Sequence, residues 1–338
     1  MDKTNMQSII KNKFVLLGAA GVAVALVIGG KMVLDSKATE RLADVLEDQK
    51  VESTVTYKSV SAGWLGNSVT LKDVVIHADE GEETVMNISS MTLSGIRESE
   101  SSDVPSALRI QIRGMVMPIV ATEGDAPKLV REEMAGLAGL GYTQLVGDAE
   151  LSYDYRSEEH QLEVGLAFDL NDLGEAHARV AIDKVDLAAL EQLSQSVTAA
   201  GVKRDPTELM LRLVMNSLAS ASKTKLAGLD FSMKDAGVRE RWLMVQREKN
   251  QFTGSTSDFA KSIGDELRKA GRREAKGSKG DRVLAFYDEW ANFIEDGGSL
   301  KGATDIERPV AIFNERGFAP AFTGLQAFLT ATSFELKH

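Results

Sequence analysis

The sequence predicts an α+β protein: an N-terminal transmembrane helix, then an antiparallel β-meander sheet packed with helices concentrated in the C-terminal half. Three observations carry this. The run from Phe14 to Leu34, FVLLGAAGVAVALVIGGKMVL, has no Pro and no charge before Lys31. The middle of the chain alternates apolar and polar residues with period two, clearest from Leu151 to Ile182. Beyond Pro206 the apolar residues recur at i, i+3 and i+4 instead, which is the helical period.

Composition narrows what such a chain can do. The 338 residues are 43% hydrophobic and 26% charged, enough for one large domain or two ordinary ones. A net charge of −11 argues against a general polyanion binder. There is no Cys, which excludes disulfides, thiol catalysis, iron–sulfur clusters and Cys-ligated zinc.

The element order begins with the apolar run. About 20 mostly apolar residues, rising ~1.5 Å each, cross the hydrocarbon of a bilayer. Phe14 to Leu34 reaches that length with Lys31 snorkelling. A cleaved signal peptide, with Val27 and Gly29 at −3 and −1, is the rival reading. The length of the run and the helical pattern continuing to Asp48 favour an uncleaved anchor. Lys3, Lys11 and Lys13 precede it, so the short tail belongs in the cytoplasm and the large domain outside. Gly21, Ala25 and Gly29 share one helix face at a spacing that lets two helices approach closely and self-associate, although the segment is rich in Gly and Ala throughout. The expected organisation is a tail over 1–13, an anchor over 14–34, a β-rich domain over 35–200 and a helix-rich part over 201–338 that packs on the same sheet with return strands.

From Val51 to Met117 the chain is rich in β-branched residues punctuated by Gly and Asn, and reads as antiparallel strands with turns at Gly63 and Gly66. Alternation slips at Asp73–Val74 and again at Ser89–Ser90, where a bulge would restore the facing. A helix is expected over Pro127 to Leu140, ended by Gly139 or Gly141. Then Leu151, Tyr153 and Tyr155, followed by Leu162, Val164, Leu166, Phe168 and Leu170, and by Ala178, Val180 and Ile182, form a one-sided meander. Its apolar side must be covered by helices, by another sheet or by an apolar ligand. Core packing is the commoner use of such a strip, and lipid binding along Leu151 to Leu170 is the sharper one.

Helices are expected over Val185 to Ala199 and from the Asp205-Pro206-Thr207-Glu208 cap to Leu218. A strand follows over Leu226 to Met233. Further helices are marked by Trp242 and Val245, by Phe259, Ile263 and Leu267, and by Val283 to Ile294, the last stopped by Gly297-Gly298. A strand over Arg308 to Phe313 and a helix near Thr323 to Thr330 close the chain.

Motifs for catalysis are poor. The four histidines, His77, His160, His177 and His338, are scattered; His160 and His177 fall in or beside expected turns and read as solvated surface. Ser220 to Lys223 fits S-x-x-K but trails a helix end and lacks the companion elements, so a serine hydrolase is a distant third reading. Ala260 to Gly264 is a degraded nucleophile elbow inside a helical pattern. No cofactor or metal is expected. One charge feature stands against the acidic whole: Arg268, Lys269, Arg272, Arg273, Lys276, Lys279 and Arg282 lie close together. A solvated helix end explains them; a patch for anionic head groups or an acidic partner is the sharper reading. Nucleic acid is not expected, because no aromatic residue interleaves with the run.

The apolar anchor leading to Tyr57, Gly63-Trp64, TLKDVVIHADE and MNISSMTLSGI resembles the start of YdgA-like and AsmA-like bacterial envelope proteins. ARVAIDKVDLAALEQL (Ala178 to Leu193) resembles the strand-into-helix units of the YdgA-like group, and FIEDGGSLKGATDIERPVAIF (Phe293 to Phe313) their closing strand pair. The chain is shorter, and more helical after Pro206, than either group. The resemblance implies a single-pass inner-membrane protein with a large β-rich periplasmic domain, and the AsmA-like relatives suggest lipid or outer-membrane homeostasis. The expected function is non-enzymatic handling of lipid by the sheet's apolar face; the alternative is a structural or assembly factor that recruits envelope partners through the anchor and the basic segment. It carries over no catalytic residue.

Overall fold

A computed structural model of the chain describes residues 55–63, 68–77, 84–97, 106–119, 135–185, 224–275, 277, 280–312 and 324–338. The apolar run Phe14 to Leu34 with Gly21, Ala25 and Gly29, the helix expected over Val185 to Ala199 (all but Val185) and that expected to Leu218, Ser220 to Lys223, and Lys276 and Lys279 lie outside the described residues. Among the described residues no helix is long and apolar enough to cross a membrane. What is described is mostly antiparallel sheet, with helices concentrated C-terminally. The chain divides into two compact units, one running through Ser157 and the other holding Glu158–Val185 and the C-terminal part. The strands over Gln161–Leu170 and Gly174–Asp183 join the helix-rich unit because the second of them pairs with the strand Lys225–Asp235.

In the first unit, β1 (Val55–Thr56), β2 (Ser59–Ala62), β3 (Ser68–His77), β4 (Thr84–Arg97), β5 (Ala107–Pro118) and β6 (Gln144–Arg156) form a meander. β3, β4, β5 and β6 lie side by side in chain order, and both β1 and β2 border β3. One face is apolar and closed: Val69, Leu71, Met91, Leu93, Ile110, Met115 and Leu145 are buried. The other is a polar ladder, with Thr70 and Thr92 bonded at 3.0 Å and Glu150 taking Gln111 at 3.0 Å and Arg109 at 2.7 Å. Before β6, residues 135–139 form a helical turn that ends at Gly141, whose φ of 84° suits a residue without Cβ.

The slips in alternation are real features. In β3 Lys72 and Asp73 both face out, and Val69, Leu71 and Val74 face in. In β4 Ser89 and Ser90 occupy the same place between Ile88 and Met91, and in β5 Arg113 and Gly114 do so between Ile112 and Met115. Asp73 and Gly114 hold left-handed φ of 51° and 61°. The three faults lie level with one another, since Lys72 pairs Ser90 and Ser90 pairs Arg113. β6 keeps a steady phase, so the extra residue is absorbed there: Ile112 pairs Ala149, but Met115 pairs Gly147. This is a bulge with Gly in the left-handed position.

In the second unit, β7 (Gln161–Leu170), β8 (Gly174–Asp183) and β9 (Lys225–Asp235) continue into β10 (Ser299–Ala303) and β12 (Glu335–Lys337), while the short β11 (Val310–Ala311) also borders β9. The strand expected over Arg308 to Phe313 is thus confined to two paired residues, Val310 with Leu226 and Ala311 with Lys225; Pro309 has no N–H to give a ladder. The outer face is again an ion-pair lattice, with Arg179 to Glu163 at 3.1 Å and Lys234 to Glu175 at 2.8 Å. The Glu175 carboxyl is held below its ordinary range by the hydrogen bond and charge of Lys234.

The helices are α1 (Val238–Lys249), α2 (Thr256–Glu274), α3 (Gly280–Asp296) and α4 (Leu325–Thr332). α2 begins on a capping box: Asp258 N–H donates to Ser255 Oγ at 3.1 Å, and Ser255 N–H to Asp258 Oδ2 at 3.0 Å. α2 and α3 approach closely where α2 has no side chain. A Cβ at Gly271 would lie 2.9 Å from that of Tyr287, and one at Gly264 would strike Glu295. α3 ends at Gly297 and Gly298, both with positive φ, and Arg239 of α1 donates to the free carbonyls of Ile294 (2.8 Å) and Glu295.

Candidate functional site

The register of the second unit's sheet assembles one apolar face. Leu162, Val164, Leu166 and Phe168 of β7 stand opposite Ile182, Val180, Ala178 and Ala176 of β8. Those in turn stand opposite Leu226, Leu229, Phe231 and Met233 of β9. Period-two alternation is the cause, because opposed residues of an antiparallel pair share a face.

This face is covered unevenly. Phe168 and Leu170, beside the β7–β8 turn, are buried at 5% exposure each. On the β10 side Leu300 is fully covered, and Phe231 stacks on Phe334 with centroids 6.0 Å apart. Phe334 also meets Phe328 of α4 at 5.8 Å and Phe286 of α3 at 6.3 Å. Gly302 makes room for this cluster, since a Cβ there would collide with both the Phe231 and Phe334 rings. Between these closed margins Leu162, Val164, Leu166, Ala178, Val180, Ile182 and Leu229 are each only half-buried. No charged side chain belongs to this strip. It can hold apolar matter and offers no group for proton transfer or nucleophilic attack.

The sequence-predicted strip is divided between the units. Leu151 and Tyr153 stand opposite Ile110 and Leu108 on the closed face of the first unit, and Tyr155 N–H donates to Ser106 O at 2.6 Å. Tyr155 is buried, and burial pushes the Tyr153 phenol well above its ordinary range. Leu162, Val164, Leu166, Phe168 and Leu170 belong to the second unit, where Phe168 and Leu170 form the covered end.

The basic segment is partly committed to internal partners. Arg268 bonds Glu295 and Asn292 (2.9 Å) of α3 and lies 3.7 Å from Asp288 and 3.9 Å from Asp265. Its hydrogen bond to Glu295 raises its affinity for the proton. Lys269 pairs with Glu266 at 2.8 Å, and Arg282 reaches Leu329 O at 3.4 Å. Arg272 and Arg273 are exposed on the last turn of α2, where cations suit the helix dipole. Sequence spacing alone hid the acids from α3, which are brought in by the helical hairpin.

Of the histidines, His160 sits in the turn before β7 as expected. His177, four residues past the turn at 171–173, stands in β8 opposite Ala167 and Ser232 and is exposed, as the surface reading expects. His338 sets its Nε2 against Gly297 O, and His77 sets its own 3.4 Å from Thr56 Oγ1. Ala260 to Gly264 lies inside α2, where no strand-turn-helix elbow is present. Among the described residues no three His, Cys, Asp or Glu side chains gather as a metal site. Tyr287, half-buried and donating to Glu274 Oε2 at 2.7 Å, has its phenol pushed up to about 12 by burial and by that bond, which ties α2 to α3. No protein-family model matches the chain, and no curated protein is similar to it.

Proposed function

We propose that this is a membrane-anchored, periplasmic, non-enzymatic envelope protein that handles lipid, with an acyl chain lying on the half-covered strip of β7, β8 and β9. The single observation behind this reading is the partial exposure of Leu162, Val164, Leu166, Val180, Ile182 and Leu229 between two closed margins. Adjacent apolar side chains left in part to water are an unfavourable surface unless something apolar meets them. The strip has a low floor: Ala176 and Ala178 of β8 run between Leu166 and Phe168 on one side and Phe231 and Met233 on the other. A thin extended chain fits such a floor better than a helix about 10 Å across does. The Phe14 to Leu34 run supports the membrane part of the proposal.

The test is native mass spectrometry of the full chain extracted in mild detergent, comparing wild type with Val164→Glu/Val180→Glu. Co-purifying lipid lost in the variant is the expected result. Wild-type protein free of lipid, while its fold is intact by circular dichroism, refutes the proposal. The second reading, an assembly factor recruiting acidic envelope partners, is favoured by exposed Arg272 and Arg273. It predicts crosslinks from α2's end to one protein that disappear on Arg272→Glu/Arg273→Glu.

A further inference from the structure

Three faults in the first unit's sheet, in β3, β4 and β5, fall at one level. β1 and β2 pair with β3 in a single register, Thr56 with Val75 and Ser59 with Lys72, and the interruption between them at Tyr57 and Lys58 faces Asp73 and Val74. The same level in β4 is Ser89, in β5 Arg113–Gly114 and in β6 Asp148, and Asp73, Ser89, Gly114 and Asp148 have no ladder partner there. At this level Lys58 N–H donates to Lys72 O at 3.0 Å, and side chains add further contacts. Lys58 lies 3.6 Å from Asp73, both well exposed; Ser89 Oγ donates to Gly114 O at 3.3 Å; Gly114 N–H donates to Asp148 Oδ1 at 2.8 Å.

This crease separates two panels with their own buried residues. Val69, Leu71, Met91, Leu93, Leu108, Ile110 and Ile112 belong to one; Val55, Val74, Met86, Ile88, Met115, Met117 and Leu145 belong to the other. Two consecutive residues face outward at each fault, which lengthens the polar side and bends the sheet toward its apolar side. Elsewhere in a sheet the ladder bonds resist such bending, because each pair of strands is locked at every second residue. Along the crease one paired position is skipped between β3 and β4, between β4 and β5 and between β5 and β6, and two residues there already sit in the left-handed region.

We infer that the crease is a hinge, about which the two panels of this sheet open and close on their shared apolar face. It is a conformational device independent of the lipid reading. Hinges are short stretches that absorb a change in φ and ψ, with rigid elements on either side.

The absence of native Cys allows paired spin labels in the full chain held in detergent. Arg109→Cys with Val85→Cys places labels on exposed positions of opposite panels, about 30 Å apart at ~3.3 Å per residue. Thr56→Cys with Gln144→Cys labels one panel at both edges, about 20 Å apart at ~4.8 Å per strand. The hinge predicts a pulsed-dipolar distance distribution at least about twice as broad across the crease as within the panel, as for panels exchanging between positions. Equal and narrow widths would show a fixed bend and overturn the inference, and equally broad widths would show a loose sheet and overturn it as well. Should Arg109→Cys not fold, Ser61→Cys on β2 takes its place against Val85→Cys and faces the same two outcomes.

Discussion

Replacing Gly114 with Ala tests the physical basis of the crease. The φ of 61° at Gly114 is open to glycine and costs an L-residue about 1–2 kcal/mol. The added methyl would also lie 2.8 Å from Ser89 Cβ, which belongs to the neighbouring strand and cannot swing away. Overpacking of that kind costs typically another ~1–3 kcal/mol. The sum is a loss of about 2–5 kcal/mol in the first unit. With a urea slope near ~2 kcal/mol per molar, the midpoint falls by about 1–2.5 M.

Urea titration followed by circular dichroism reads the shift, and hydrogen exchange of β4 and β5 places it. Adding Ser89→Gly to Gly114→Ala removes the collision but leaves the backbone cost, so the double variant should recover roughly half of the loss. Gly136 is the control: it lies in the helical turn with nothing within 4 Å of an added Cβ, and Ala there should stabilise slightly. A Gly114→Ala protein within about 0.5 kcal/mol of wild type, the usual scatter of surface changes, would refute the reasoning.

Other outcomes follow from the second unit. Gly302→Val should cost about 1–3 kcal/mol by forcing Phe231 and Phe334 apart, read as a lower melting temperature with altered near-ultraviolet dichroism. Arg268→Ala leaves Glu295 without its main partner in a partly buried place and should cost roughly 1–3 kcal/mol, whereas Lys269→Ala, on an exposed pair, should change melting little. The hydrogen bonds from Ser255 hold the Asp258 carboxyl below its ordinary value. Its contribution to α2 is therefore complete above the unfolded carboxylate pKa of about 4 and is lost as pH falls through the lower folded value. Acid titration of Ser255→Ala should show that loss reduced, since the hydroxyl bond is gone while the residue 255 N–H still donates to Asp258, and the variant should melt lower at neutral pH.

The meander was legible because period-two alternation says both that a strand exists and which way its side chains face. The slips in alternation could be read too, at Asp73 and at Ser89–Ser90, but no bulge restores the facing there: β3 and β4 slip together and stay in register, and the extra residue is taken up between β5 and β6. The third fault, at Arg113–Gly114, left its mark in the break between Ile112 and Met115, but the run LRIQIRGMVM is too apolar for the break to stand out. β10 and β12 were hidden for a different reason. They are short, and each is held by its neighbour rather than by its own pattern: Leu300 opposite Met233, and Leu336 opposite Gly302. The basic segment misled in a similar way. Its charges are local in sequence, and the acids that answer Arg268 arrive from α3, more than twenty residues on.

The contrast between the two sheets bears on where function resides. Both alternate with the same period and both carry a polar lattice on the outer face, so sequence treats them as equivalent. Leu71, Met91, Leu93, Ile110, Met115 and Leu145 are nonetheless almost wholly removed from water, while Leu162, Val164, Leu166, Val180 and Ile182 are not. At about 25 cal/mol per Å² of apolar surface, a side chain left partly exposed forgoes a fraction of the ~1.5–3 kcal/mol that full burial brings. A sheet that closes its margins with Phe168, Leu170, Leu300 and the Phe334 cluster has the side chains to close its centre too. Ala176 and Ala178 stand where larger residues would have filled it, and that choice is what argues for an occupant.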